Sequence, residues 1–399
     1  MAVHAHCRQG HFAPKGTTGH QTIGGLLFPP KAVVFWWAPQ ADEEAVIGPP
    51  AHLCVGAATG STHRWALAYR VTSAPDVAAS LHADACLASL GGNGQADLVS
   101  LGESGFTIDW SDAADPGAVV HYLAVGGTSV TARAGVISHD GLTVVSGIGV
   151  APTALLFAAS RSFGEPNLSL GFCDANLEQR CCVSGAYVSG GRLHTRSGGT
   201  TRGVVQQTAG AAGGSESVHA VSAVGASGFT LSRIAGAADT FDVPYLAVGG
   251  IPAFVGDFGV SGASDPVNDL SGQVSAALFT SGVVSRDGSG NFPQPVMFGG
   301  SDRHMLQGSV AATWRQNGSP ASRSRRAFVA TMWFDDQESN EWADLYYEGT
   351  LTEWGADGFT LVNPYRGGML VSYLAFGDAE APIRGRGTLT GEHPKAGGV

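Results

Sequence analysis

One phrase recurs three times along the chain, and this recurrence constrains the fold more than any other feature. The phrase reads SGFTIDWSDAADPGAVVHYLAVGG at residues 104–127, SGFTLSRIAGAADTFDVPYLAVGG at 227–250 and, more loosely, DGFTLVNPYRGGMLVSYLAFGD at 357–378. The glycines of its GF pair are 123 and 130 residues apart. Such a period is far longer than one solenoid repeat, so each copy is predicted to be a complete domain.

An upstream element follows the same period. In each copy a proline precedes an aliphatic run, which predicts a buried strand entered from a rigid turn. The three prolines lie 75, 76 and 65 residues before the glycine of the GF pair. The anchors of the repeat are therefore one proline, the Gly-Phe pair and one tyrosine in each copy: Pro30, Gly105, Phe106 and Tyr122; Pro152, Gly228, Phe229 and Tyr245; Pro293, Gly358, Phe359 and Tyr373.

The residue pattern within one copy is that of β-strands. Phe106, Ile108 and Trp110 alternate with Thr107 and Asp109, which indicates a half-buried strand. A polar loop and the apolar run VVHYLAVGG complete an antiparallel hairpin. Helical spacing is scarce, and 58 glycines without a Gly-X-Y period indicate many turns. We therefore predict an all-β chain of three tandem antiparallel β-sandwich domains.

The repeat also predicts the domain boundaries. We expect an N-terminal arm at residues 1–13, sandwiches at 14–127, 128–250 and 251–378, and a C-terminal tail at 379–399. The connections are short and are not rich in proline or serine, so the three sandwiches are expected to pack against one another.

The order PPKAVVFWW, SGFTIDW, VVHYLAVGG resembles two known groups of proteins. Over nearly the whole chain it is similar to a repeat in virion structural proteins of tailed bacteriophages, of the minor tail or decoration type. Over about 30 residues per copy it resembles the H-type lectin module, a six-stranded sandwich, with Tyr in place of the lectin's Trp in the last strand. That module forms trimers that bind N-acetylgalactosamine-type sugars between subunits. The resemblance implies threefold packing, here an intramolecular pseudo-trimer, and no sugar-contacting residue can be matched.

Net charge and hydropathy disfavour several classes of binding partner. A net charge of −11 disfavours nucleic-acid binding, which needs clustered Lys and Arg. No run of 18 apolar residues exists, so no membrane partner is expected. The N-terminus lacks a signal-peptide pattern, so the chain is expected to be made in the host cytoplasm and to end in the virion.

The six cysteines show neither CxxC spacing nor recurrence with the repeat, and buried free thiols are favoured. A disulfide from Cys173 to Cys181 or Cys182 stays open as an alternative. His4, His6, Cys7 and His11 lie close together, but a terminus rarely fixes metal ligands, and a disordered or subunit-clasping arm is favoured. No phosphate loop, nucleophile elbow or HExxH motif is present, so we expect no catalytic, cofactor or metal site.

Two further stretches allow both a ligand-binding and a purely structural interpretation. WFDDQESNEWADLYYEG, residues 333–349, contains the candidate glycan contacts Trp333, Asp335, Asp336 and Trp342. A solvated acidic loop between two strands is the favoured interpretation, because the calcium-loop spacing is missing. FWW at residues 35–37 is expected in the core and at an inter-domain contact rather than in a ligand platform.

The sequence thus favours a non-enzymatic structural protein of a tailed phage particle, in the tail, tail tip or baseplate, with capsid decoration as the alternative within that class. Its partners would be other virion proteins and further copies of itself. The second hypothesis is a carbohydrate-binding adhesin or lectin for a host cell-surface glycan, and a glycan hydrolase comes third.

Overall fold

A computed structural model gives the fold of the chain. It describes residues 5–378 except for 40–49, 74–75, 92–93, 116, 162–166, 188–191, 199–202, 208–216, 237–239, 261–263, 269, 271, 284–295, 314–320, 327–329, 335–344 and 363–368. These residues form thirty strands and no helix, so the predicted all-β class is confirmed. No helical segment able to span a lipid bilayer is found among them.

The strands fall into three consecutive sets of ten, here called units 1, 2 and 3. Unit 1 contains β1 (Ala5–Phe12), β2 (Gly19–Gly24), β3 (Pro30–Ala38), β4 (Ala51–Gly60), β5 (His63–Ser73), β6 (Asp76–His82), β7 (Leu87–Ala88), β8 (Gln95–Leu101), β9 (Gly105–Asp112) and β10 (Val119–Gly127). Unit 2 contains β11 (Thr131–His139), β12 (Leu142–Val145), β13 (Ala154–Arg161), β14 (Asn167–Asp174), β15 (Gln179–Tyr187), β16 (Arg192–Gly198), β17 (Val205–Gln207), β18 (Ser217–Gly225), β19 (Gly228–Ala235) and β20 (Phe241–Gly249). Unit 3 contains β21 (Ala253–Val260), β22 (Asp265–Val267), β23 (Val274–Val283), β24 (Val296–Asp302), β25 (Gln307–Thr313), β26 (Ala321–Arg325), β27 (Ala330–Phe334), β28 (Leu345–Trp354), β29 (Phe359–Val362) and β30 (Met369–Gly377).

The same sheet topology occurs in all three units. Unit 1 has a six-stranded sheet in the order β1-β10-β3-β4-β5-β6 and a four-stranded sheet in the order β2-β9-β8-β7. Adding ten, and then twenty, to every strand number gives the orders in units 2 and 3. Each unit therefore has ten strands, where the lectin module that the repeat resembles has six.

An aromatic trio joins the two sheets of each unit. In unit 1 the ring of Phe106, on the four-stranded sheet, meets Tyr122 and Phe35 of the six-stranded sheet at 5.1 and 5.6 Å, edge to face. The corresponding separations are 5.2 and 5.4 Å in unit 2, and 5.5 and 5.6 Å in unit 3. Edge-to-face pairs at such distances are favourable beyond their buried area. The other members of these trios are Phe229, Tyr245 and Phe157 in unit 2, and Phe359, Tyr373 and Phe279 in unit 3.

A fourth apolar cluster belongs to no single unit. It combines side chains from the six-stranded sheets of all three units, including Val34 and Trp36 of β3, Leu156 of β13 and Leu278 of β23. Each unit also has its own cluster between its two sheets. The six-stranded sheets are thus covered on one face by their own four-stranded sheet and on the other by neighbouring units.

Two sequence predictions are wrong. An N-terminal arm is expected at residues 1–13, but residues 5–12 form strand β1. Its backbone pairs with β10 along its whole length, and its Cys7 side chain packs in the apolar cluster that the three units share. The prediction of Pro293 as the third proline anchor is also wrong. The run after Pro293 is β24, which corresponds to β4, whereas the strand that corresponds to β3 is β23, and no proline precedes it. Pro293 itself and the predicted tail at 379–399 lie outside the described residues.

Replacing Phe106 by Ala is expected to lower the free energy of unfolding by about 3–5 kcal/mol, since the side chain is 1% exposed and holds two sheets together. Urea unfolding followed by tryptophan fluorescence measures the change. Leu27→Ala is the control, because Leu27 is 98% exposed and its loss should change stability by no more than about 0.5 kcal/mol. A cost below about 1 kcal/mol for Phe106→Ala would contradict the packing described here.

Candidate functional site

The strongest candidate site is the set of junctions between units. Equivalent positions follow from strand register: Tyr122 of β10 pairs with Gly10 of β1 and with Phe35 of β3. The same pairings join Tyr245 to Gly135 and Phe157, and Tyr373 to Gly256 and Phe279. In all three units the tyrosine ring lies across the glycine, where a Cβ would overlap with the tyrosine hydroxyl. The three tyrosines of the repeated phrase therefore lie on strands that are equivalent residue by residue.

One hydrogen bond occurs at every junction. Thr59 Oγ1, at the end of β4, accepts the backbone N–H of Ala134 in unit 2 at 3.1 Å. At the equivalent place Asp174 Oδ2 accepts the N–H of Val255 in unit 3 at 3.4 Å. The third bond runs from unit 3 back to unit 1. Its atoms are Asp302 Oδ2 and the N–H of Gln9, at 3.0 Å. The junctions therefore follow the cyclic order 1 to 2, 2 to 3 and 3 to 1.

The two aspartates also organise their own turns. Asp302 Oδ1 accepts the backbone N–H groups of His304 and Leu306, and Asp174 Oδ1 does the same for Asn176 and Glu178. Burial raises the pKa of Asp302, while the Gln9 N–H and the Arg8 guanidinium, 3.6 Å away, oppose that rise. Such a carboxylate fixes a turn and a neighbouring unit at once.

These turns hold residues in an unusual backbone conformation. Leu177 and Met305 occupy equivalent positions with φ of 63° and 64°, in the left-handed region that non-glycine residues rarely adopt. The carboxylate bonds described above over-determine the turn, which is how such a conformation persists.

One position on the fifth strand, two strands away from the residue before the phenylalanine of each trio, differs in every unit. It is Trp65 on β5, Arg180 on β15 and Gly308 on β25. Trp65 Nε1 donates to the carbonyl of Tyr245 in unit 2 at 2.8 Å. Arg180 Nε donates to Asp257 in unit 3 at 2.8 Å.

At the third junction the direction of the contact is reversed. Trp36 Nε1 of unit 1 donates to the carbonyl of Gly308 at 3.2 Å. The ring of His121 stacks on Trp36 at 5.9 Å, and its Nε2 lies 2.9 Å from Ser324 Oγ. The FWW stretch is therefore divided as expected, with Phe35 in the core of unit 1 and Trp36 at a junction.

A second polar cluster lies inside unit 2. His139 Nε2 and His219 Nδ1 are 2.8 Å apart. The chain continues from His139 Nδ1 to Thr143 Oγ1 at 2.9 Å and from His219 Nε2 to Ser217 Oγ at 3.1 Å. Burial lowers the pKa of both histidines, that of His219 to about 3, and Arg233 adds to this effect. The Ser217 end of this hydrogen-bonded chain is 4% exposed and the Thr143 end is part-buried, and the chain satisfies the polar groups of two buried histidines.

The cysteines and the suggested glycan contacts do not lie together in one site. All six cysteines are buried free thiols, as favoured, and burial raises the pKa of Cys7 to about 12. Of the suggested glycan contacts, Trp333 lies on β27, paired with Tyr346, whereas Asp335, Asp336 and Trp342 lie outside the described residues. In the described part of the chain, no three His, Cys, Asp or Glu side chains form a group that could hold a metal ion.

Sequence reasoning missed the junction aspartates, although a signal for them exists. DANLEQ at 174–179 and DRHMLQ at 302–307 share an Asp and a Gln at the same spacing. Both glutamines bridge to the other sheet, Gln179 to Val221 and Gln307 to Leu351, through two hydrogen bonds each. Comparison of unit 2 with unit 3 alone would have found this pair.

Comparisons with known proteins give little. No protein-family model matches the chain, and no curated protein matches it. Among solved structures, a β-fructofuranosidase from Schwanniomyces occidentalis in complex with fructosyl-erythritol aligns over 92% of this chain and 98% of its own, with 8% identity and a TM-score of 0.14. A score this low relates neither fold nor activity.

Removing the junction acceptors should give a graded loss of stability. Asp302→Ala leaves three backbone N–H groups and Arg8 without their acceptor, and we expect a loss of about 3 kcal/mol or more. Thr59→Val removes two neutral hydrogen bonds, the one accepted from Ala134 and a long one donated to the His63 carbonyl at 3.4 Å, and should cost about 1 kcal/mol. Chemical unfolding of the two variants tests this order, and a larger cost for Thr59→Val would contradict it.

Acid should weaken the protein through His121. Burial, with His11 and Arg326 nearby, lowers the pKa of His121 to about 3. The unfolded chain takes up this proton below about pH 6.5 and the folded chain does not, so stability falls as the pH drops from about 6.5 towards 3. His121→Gln should reduce the slope by up to about 1.4 kcal/mol per pH unit.

Unfolding free energies measured between pH 7 and 4 give this slope. His20→Gln is the matched control, since His20 lies on the exposed edge strand β2. Identical slopes for the wild type and His121→Gln would exclude the histidine as the source.

Proposed function

We propose that this chain is a non-enzymatic structural component of a tailed phage particle, placed in the tail, tail tip or baseplate, with capsid decoration as the alternative within that class. It acts by assembly and by presenting the outer faces of its four-stranded sheets. The observation that carries the proposal is the cyclic set of junctions, in which one hydrogen bond recurs three times around a shared apolar cluster.

The arrangement is best explained as an intramolecular pseudo-trimer. The fourth and fifth strands of each unit contact one neighbour, and the first, third and tenth strands contact the other, as in a heterologous contact that closes into a ring. Fusion of the units makes these contacts intramolecular, which raises their effective concentration. It also lets each copy diverge, which suits a body that meets different partners on different sides.

Polar groups that are buried or part-buried at the junctions also support a structural role. Thr59, Asp174, Asp302 and His121 all hold one unit to the next. Their hydrogen bonds are directed within the protein, which fits a protein selected for rigidity and assembly.

A compact pseudo-trimer of 399 residues should have a radius of gyration of about 21–22 Å. Small-angle X-ray scattering of the isolated monomer measures it directly. A much larger value, with the distance distribution of a rod, would mean that the units are strung end to end and would exclude the closed ring.

Placement in the particle is tested on purified virions of the phage that encodes the chain. Quantitative mass spectrometry should find the chain at a fixed stoichiometry relative to the major capsid protein. A cryo-EM map of the particle should accommodate its three units. Absence from purified particles would overturn the proposal.

The adhesin alternative has its own test. A glycan array probed with the purified chain should show no specific binding if the protein is a scaffold, and binding of a cell-wall glycan would favour the adhesin. Release of reducing ends from such a glycan would instead indicate a hydrolase.

A further inference from the structure

The three junctions use the same strands but different side-chain sizes. We call the paired positions on the fourth and fifth strands of a unit its front. They are Ala57 with Trp65 in unit 1, Phe172 with Arg180 in unit 2, and Gly300 with Gly308 in unit 3. We call the facing positions on the first, third and last strands of the next unit its back. They are His11, Trp36 and His121 in unit 1, Val136, Ala158 and Pro244 in unit 2, and Asp257, Thr280 and Ser372 in unit 3.

The front of unit 3 is a notch with no side chains. A Cβ on Gly300 would lie 2.8 Å from the Trp36 ring, and a Cβ on Gly308 would overlap with the His121 ring. Both rings are fully buried there, and Trp36 also meets Phe298 at 5.6 Å. The two glycines are therefore required by the size of the occupants, not by backbone conformation.

The other two junctions reverse this distribution of volume. The front of unit 1 supplies a large indole, Trp65, and the back of unit 2 supplies the small or compact residues Ala158 and Pro244. At the junction of units 2 and 3 the fit is electrostatic, because Arg180 forms an ion pair with Asp257 at 2.8 Å. A close-packed interior is destabilised both by an added ring and by the cavity that a missing ring leaves.

We infer that the front of unit 3, formed by Gly300 and Gly308, is a specific docking surface for the back of unit 1, and that the residue at the position of Trp65, Arg180 and Gly308 determines which unit can follow which. If the units followed one another in any other order, the side chains of each front would not fit those of the back they meet. Unit 2 followed by unit 1 would press Phe172 and Arg180 onto Trp36 and His121, and unit 3 followed by unit 2 would leave a void. This inference rests on the cyclic junctions and goes beyond the proposed function, since it holds whether or not the protein belongs to a particle.

Within the described residues, short connections join unit 1 to unit 2 and unit 2 to unit 3. The junction of units 3 and 1 has no such connection within the described chain. Its closure depends on the notch, on the contacts of Asp302 with Gln9 and Arg8, and on the hydrogen bond between His121 and Ser324. This makes it the junction at which specificity has the largest effect on the whole body.

A transplantation experiment tests the size rule. Gly300→Phe with Gly308→Arg gives unit 3 the front of unit 2. His11→Asp with Trp36→Thr and His121→Ser gives unit 1 the back of unit 3. Each half-transplant alone should lower the unfolding midpoint temperature by at least about 5 °C. Both together should recover most of that loss, because the Arg180–Asp257 type of contact is rebuilt. Gly102→Arg, at an exposed turn, is the control for adding a bulky residue.

Additive losses, with no recovery in the combined variant, would overturn the inference. If a half-transplant does not fold at all, the combined variant still decides, since it should fold and the half-transplant should not. Failure of the combined variant as well counts against the size rule.

Reordering the full chain gives an independent test. A circular permutant that runs from residue 128 to 399 and then from 1 to 127 keeps every junction, and its radius of gyration should match the wild type. A chain with the order 1–127, 251–378, 128–250, 379–399 contains the same residues but mismatched junctions. It should expand and bind a hydrophobic dye. A reordered chain as compact and stable as the wild type would refute the docking rule, even if the particle proposal remained correct.

Discussion

Coverage of the six-stranded sheets on both faces is the constraint on which the rest of the structure depends. Strands β14 and β24 are buried along their whole length, and β3 is buried at all but one residue. A four-stranded sheet covers only one face. The other face must be covered by neighbouring units, since each large apolar side chain left exposed to water would cost the fold about 1.5–3 kcal/mol of stabilising free energy. The units are therefore interdependent, and their junctions form around the apolar cluster that covers these faces.

The junctions combine a constant part with a variable part. The constant part is a side-chain oxygen at the end of the fourth strand that accepts a backbone N–H of the next unit. It fixes distance and angle and makes no distinction between units. The variable part, at Trp65, Arg180 and Gly308, makes that distinction through size and charge. Duplication supplies the first part, and divergence supplies the second.

The errors of sequence reasoning have physical causes. Residues 1–13 are predicted to be an arm because they lie at the extreme N-terminus, although the backbone of β1 is paired along its length with β10. The Pro293 anchor was placed on the wrong strand because a proline before an aliphatic run is a local signal that any strand can carry. Strand β23 has no such proline, and only its pairing with β30 identifies it. The glycan candidates at residues 335–344 are neither supported nor contradicted, because they lie outside the described residues.

The sequence by itself determined the strand class, the threefold repeat and the burial of Phe106, Phe229 and Phe359, because alternation, turn residues and recurrence are local properties. Tertiary structure decided sheet order, the pairing of the first strand and the cyclic junctions. Gln9 and Asp302 are 293 positions apart and meet only after every sheet has formed. No sequence pattern within a single unit predicts such a contact. From the sequence, Gly300 and Gly308 are indistinguishable from turn glycines, and only the structure shows that the Trp36 and His121 rings pack against them.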